Sequence, residues 1–193
     1  MRFTMLVAMV ALGARSGLAE IREARNVTVC MDLGTSLAVS SAQPTASRIF
    51  SEIGIEIQWY STRRCPARDA IVVTLSEHAP ADRPPGTMAY ALPYEGTHIV
   101  VFYDRVLARA GRGAEFRLLA YVLVHEITHI LQGTDVHSDT GIMKAQWDCQ
   151  DHFDMRRNRL GFTKTDVERI YEGLDARRAR LGPEVEARLS ASR

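Results

Sequence analysis

Apolar and polar positions along the chain follow two periods. Alternation of period two marks strands. Val27 to Met31 alternates over a short stretch, and Ile55-Glu56-Ile57-Gln58-Trp59 alternates strictly, as a half-buried strand does. Ala70 to Leu75 is a continuous β-branched run and reads as a central strand. Met88 to Leu92 reads as a short edge strand limited by Pro93, and His98 to Tyr103 as another strand. Ala79 to Gly86 holds three of the seven prolines and reads as a loop. Helical spacing appears over Gln43 to Ile53, where Ala46, Ile49, Phe50 and Ile53 recur and Gly54 closes the segment. It appears again over Glu115 to Gln132, and over Thr165 to Leu181, where Asp166 and Glu168 suit the dipole of the first turn. Residues from about 183 onward read as a polar tail.

The first residues change the picture of compartment. Met1-Arg2 supplies a positive start, Phe3 to Leu12 an apolar stretch, and Gly17-Leu18-Ala19 a small-residue cleavage site. Ten apolar residues are too few to span a bilayer, so residues 1–19 read as a signal peptide cleaved after Ala19, and the mature chain as secreted or periplasmic with no membrane span. Residues 20–193 are then enough for one domain. Losing Arg2 and Arg15 takes the 24 basic residues to 22, against 23 acidic, a net charge near −1. That balance gives no sign of nucleic-acid binding. The cluster Arg156-Arg157-Asn158-Arg159 reads as a solvated face. Export permits disulfides. Of Cys30, Cys65 and Cys149, the pair Cys30–Cys65 is preferred because both lie near predicted strand ends.

The chemistry is concentrated in His125-Glu126-Ile127-Thr128-His129, inside the apolar run Leu118 to Leu131. Residues four apart share a helical face, about 6 Å between Cβ atoms. Two imidazoles so placed reach one Zn²⁺ at roughly 2.0–2.1 Å. Glu126 is set beside that metal without ligating it, in the position of a general base. Downstream come Gly133, able to end the helix in the left-handed conformation, then His137-Ser138 and Gly141-Ile142-Met143.

In this order of motifs the chain resembles the metzincin metallopeptidases, with the His-Ser pair nearest the matrixin-like branch. The resemblance covers about Asn26 to Leu181. It implies an α+β fold with a mixed, mostly parallel sheet, an antiparallel edge strand, an active-site helix, a Met-turn and a C-terminal helix. It implies a single catalytic Zn²⁺ held by His125, His129 and His137, with Glu126 as base and Met143 in the Met-turn. The usual string HExxHxxGxxH is not kept, since Gln132 and Asp135 stand where the Gly and the third ligand would be. Either the loop carries two extra residues and His137 ligates, or Asp135 is the third ligand. The resemblance further implies that Met88, Ala89, Tyr90, Ala91 and Leu92 pair with an extended peptide or protein substrate by strand addition. Lys144-Ala145-Gln146-Trp147 would border the pocket for the residue after the scissile bond.

The activity expected is that of an exported, monomeric zinc endopeptidase. In it Glu126 takes the proton of a water held at the metal and passes it to the leaving amine. Two alternatives stay open: a metal-binding interaction module on the same fold, or another HExxH hydrolase with an acid such as Glu168 as third ligand. Ala145 stands where some metzincin branches place an extra tyrosine ligand. Tyr90, Tyr94 and Tyr103 read as packing residues and His78 and His98 as surface residues. His152 with Asp148, Asp151 and Asp154 reads as a solvated turn rather than a second ion site. The short distance from Ala19 to the first strand leaves no room for a folded pro-domain, and no Ca²⁺ loop is evident.

Overall fold

The computed structural model describes residues 25–32, 37–66, 69–111 and 113–191. The expected signal peptide lies outside the described residues. The predicted strands assemble into one sheet: β1 (Arg25–Met31), β2 (Ile55–Tyr60), β3 (Ile71–Ser76), β4 (Ala89–Ala91) and β5 (His98–Phe102), in the order β2-β1-β3-β5-β4. β1 runs parallel to β2 and β3, and β3 parallel to β5. β4 is antiparallel to β5 and forms an edge. The helices among the described residues are α1 (Leu37–Ser51), α2 (Tyr103–Arg109), α3 (Glu115–Gln132), α4 (Cys149–Arg156) and α5 (Lys164–Ala191). The protein is α+β, with a five-stranded, mostly parallel sheet and an antiparallel edge strand. None of the described helices is long and apolar enough to cross a membrane.

α3 organises the core. Every residue from Leu118 to Leu131 is buried, as expected of a helix that is apolar on nearly all sides. It packs against α1, α5 and the β4–β5 edge of the sheet. Ile49 and Phe50 of α1, Val29 and Ile71 of the sheet, and Ile170 of α5 belong to the same hydrophobic cluster. α5 is fastened to the sheet ends by the Arg25–Asp175 ion pair at 2.7 Å and by the Tyr171 hydroxyl, which donates to the Ile53 carbonyl at 2.7 Å.

Several boundaries differ from the expected ones. α1 begins at Leu37, not Gln43, so Pro44 lies inside the helix rather than in its first turn. Proline there forgoes one backbone hydrogen bond. The burial of Val39 and Ala42 extends the helix past it. The last strand ends at Phe102, and Tyr103 opens the unexpected α2. The backbone of α5 continues to Ala191 through the stretch read as a polar tail. Glu184, Glu186 and Ala187 in that stretch are good helix formers, so its polarity did not preclude a helix. Cys30 and Cys65 form a disulfide, closing 35 residues of sequence between β1 and the segment after β2, and Cys149 is free and exposed.

Gly173 shows how closely α5 crosses α3. A Cβ there would stand 1.9 Å from the Leu131 carbonyl oxygen and 2.9 Å from the Gln132 Cα. In an open helix Gly→Ala gains up to about 1 kcal/mol. Here the contact is with backbone, which cannot rotate away, so the overlap decides the sign. Gly173→Ala is expected to destabilise the protein by about 3 kcal/mol or more, measured by urea unfolding. A neutral or stabilising result would contradict the α3–α5 crossing.

Candidate metal centre

The apolar face of α3 that builds the core also carries His125 and His129 into it, both buried, one helical turn apart. α3 ends at Gly133, whose φ of 67° is the left-handed conformation foreseen for it. That turn sends the chain back, and the Thr134 carbonyl accepts the His129 Nδ1 hydrogen at 2.9 Å. The His125 Nδ1 hydrogen goes to the Ile142 carbonyl, also at 2.9 Å. A carbonyl only accepts, so each ring carries its proton on Nδ1. Each therefore presents an unprotonated Nε2 to the interior of the site.

These two Nε2 atoms stand 3.0 Å apart. Two lone pairs facing at that distance repel unless a cation or proton lies between them. The ligating atoms of His125, His129 and His137 all lie within 4.8 Å of one another. Tetrahedral bonds of roughly 2.0–2.1 Å would hold two nitrogens about 3.3 Å apart, close to what is observed. The donor set therefore fits one metal ion. Burial lowers the proton affinity of all three rings, for His125 to a pKa of about 3, where the neighbouring His129 adds to the effect. All three are neutral near pH 7, the state that ligates.

The third histidine comes from the loop after α3. His137 is exposed, and its neighbours fix it. The Ser138 N–H donates to the Met143 carbonyl at 2.8 Å, and the Ser138 hydroxyl to the Asp166 carboxylate at 2.5 Å. Asp166 is fully buried and also accepts the Thr163 N–H and hydroxyl, at 2.9 and 2.7 Å. With the Asp166 N–H returning to the Thr163 hydroxyl at 3.1 Å, this is a capping box at the start of α5. Asp166 thus ties the third-ligand loop to α5, a role the dipole argument missed. The Thr-x-x-Asp spacing of 163 to 166 was the available signal.

Ile142 and Met143 are buried in the turn beneath the site. The Ile142 carbonyl takes a second hydrogen bond from the Trp147 indole at 3.1 Å, and that ring stands edge-on to His125, centroids 5.5 Å apart. Gly141, with φ 78°, passes so close to the Gly161 carbonyl that a Cβ would meet it at 2.7 Å. The site opens into a cleft of about 700 Å³. Met88 to Ala91 and Lys144 to Trp147 line it, as do Glu126, Asp135 and His137, whereas Leu92 does not. The ligand atoms that come together are those of His125, His129 and His137, so the geometry favours His137 over Asp135. Glu168 is exposed on α5 beside Lys164, outside the cleft.

Glu126 is buried, and its carboxylate accepts the Ala91 backbone N–H. Burial pushes that carboxyl up to about 8, against the pull of this hydrogen bond. The donor is on the open side of β4. Leu92 N–H bonds to His98, and Phe102 N–H to Met88, so alternation turns the amides of Ala89 and Ala91 outward. Asp148, Asp151 and Asp154 do not form a second cluster. Asp148 caps α4 with Asp151 in a reciprocal box, both pair with Lys144, and Asp154 pairs with Arg159. The expected solvated turn is a short helix.

Compared with known proteins, the chain matches no family model and no curated protein.

Each ligand variant has a distinct expectation. His125→Ala, His129→Ala and His137→Ala should each weaken Zn²⁺ binding by more than about 100-fold, while Asp135→Ala changes it by less than about tenfold. Competition against a chromophoric chelator measures this. The reverse order for His137 and Asp135 would reassign the third ligand.

Proposed function

We propose that this chain is an exported zinc endopeptidase of the metzincin type. The observation that carries the reading is the pair of Nε2 lone pairs facing at 3.0 Å, with His137 beside them and a buried glutamate one residue from His125. A purely structural zinc would close all four positions with protein ligands, whereas three imidazoles leave one open to the cleft. The Cys30–Cys65 disulfide suits the oxidising compartments outside the cytosol.

Bound by His125, His129 and His137, zinc would supply Lewis acidity to a scissile carbonyl and to water. The remaining roles fall to the chain itself. The Glu126 carboxylate takes a proton from the attacking water and delivers it to the leaving amine. The outward Ala89 amide and the outward carbonyls of β4 hold a substrate peptide as an added strand, while the Ala91 amide is kept by Glu126. Trp147 and Val122 wall the cleft with apolar surface, excluding water from the reacting carbonyl. The Ile142 and Thr134 carbonyls keep the His125 and His129 rings in the ligating tautomer.

The test is digestion of a denatured peptide mixture by the zinc-loaded protein, read by mass spectrometry beside Glu126→Gln. Wild type should cleave. Glu126→Gln should retain one zinc and lose at least 10²- to 10⁴-fold in kcat/KM. A variant as active as wild type, or a zinc-loaded wild type that cuts nothing, would overturn the reading.

A further inference from the structure

Beyond the metal ligands the cleft has a second wall. Arg105, Ala108 and Arg109 on one face of α2 line it, together with Trp147, just before α4, and His152 within α4. The two cations differ in their duties. The Arg105 guanidinium donates to the carbonyls of Arg83, Pro84 and Thr87, at 3.1, 2.5 and 2.8 Å, and so holds the proline-rich loop that forms the rim. Arg109, one turn further, has no carboxylate within 4.0 Å among the described residues. It is exposed to the cleft and bonded to none of the loop carbonyls.

The acids beside α4 are already engaged. Lys144 holds Asp148 at 2.5 Å and Asp151 at 2.7 Å, and the same two carboxylates cap α4. Asp154 faces Arg159 at 3.2 Å. The two acids that line the cleft are Glu126, bound to Ala91, and Asp135, on the loop beside His137. Burial, then the charges of Arg109 and Arg156, lower the proton affinity of His152 against the opposing pull of Asp151 and Asp148, so the ring adds no further positive charge to the cleft near pH 7. The stretch between α2 and α4 thus has apolar residues, Ala108, Val122 and Trp147, and a cation, Arg109, that no carboxylate of the described residues holds in an ion pair.

We propose that this stretch is a specificity pocket for an acidic substrate side chain, glutamate above all, and that Arg109 is the residue that selects it. The proposal rests on the peptidase reading. Glutamate fits because its two methylenes lie against the apolar walls while its carboxylate meets the guanidinium in the fork geometry that arginine offers. Isosteric glutamine would keep the methylene contacts and lose the charge. Lysine would meet Arg109 with like charge.

The experiment uses peptide sets identical except for Glu, Gln, Leu or Lys at each position around the cleavage site. Cleavage by zinc-loaded wild type is read as kcat/KM. Binding to zinc-loaded Glu126→Gln is read by fluorescence anisotropy. At one position wild type should prefer Glu over Gln about tenfold, the scale of a partly desolvated charge contact. The preference should shrink as salt rises. Arg109→Gln should level the Glu/Gln ratio, and Arg109→Glu should invert it toward Lys, with cleavage of the Gln peptides largely retained. An unchanged Glu/Gln ratio in Arg109→Glu, or a preference for Leu in wild type, overturns the pocket while leaving the peptidase reading intact. Absence of all cleavage with Arg109-dependent binding of Glu peptides overturns the peptidase reading and leaves the pocket as a binding site. Neither cleavage nor such binding overturns both.

Discussion

Two buried imidazoles whose protons are committed to backbone carbonyls constrain everything else in this protein. The 3.0 Å separation of their Nε2 atoms is unfavourable on its own, because like-directed lone pairs repel in a medium that water does not screen. The surrounding structure enforces it. Gly133 in the left-handed conformation returns the Thr134 carbonyl to His129, and the turn at Gly141 to Met143 brings the Ile142 carbonyl to His125. The second turn is held in turn by Gly161, whose carbonyl accepts the Ile142 N–H at 3.0 Å, and by Ser138.

The same helix links that set to the sheet. α3 is buried from Leu118 to Leu131, and His125, His129 and Glu126 keep only a small exposed part, on the cleft. The cleft exists because their polar ends face the one side where β4 is an unpaired edge. Glu126 bonds to Ala91 across that gap, so helix and edge strand are registered to each other by the residue given the proton-transfer role. An edge strand is ordinarily an aggregation hazard. Here it is three residues long by regular pairing, flanked by Pro93 and walled by the loop that Arg105 gathers. Both features leave room for a peptide strand rather than a sheet.

Much of this was legible in the sequence, for identifiable reasons. The β-branched run at Ile71 to Leu75 and the strict alternation at Ile55 to Trp59 reported strands because burial on two faces or one leaves a direct periodic trace. The helix at Glu115 to Gln132 came out with both ends right because its apolar run is long and Gly133 stops it. Elements governed by polar contacts were not legible. α4 has almost no apolar face, and in the sequence its capping box of Asp148 and Asp151 reads as a solvated turn. α1 began early because the burial of Val39 and Ala42 outweighs the cost of Pro44, a balance that only the tertiary packing decides. His125, Glu126 and His129 follow from spacing within one helix. Placing His137 rather than Asp135 at the site depends on a loop held by Asp166, thirty residues away in sequence, and no local pattern carries that.

The proposed function requires that His125, His129 and His137 hold zinc together and leave one position open. X-ray absorption of the zinc-loaded protein near pH 7 tests it most directly. The account predicts three imidazole nitrogens at roughly 2.0–2.1 Å and one further light-atom ligand. Sulfur scattering near 2.3 Å, or fewer than three imidazoles around the metal, would contradict it.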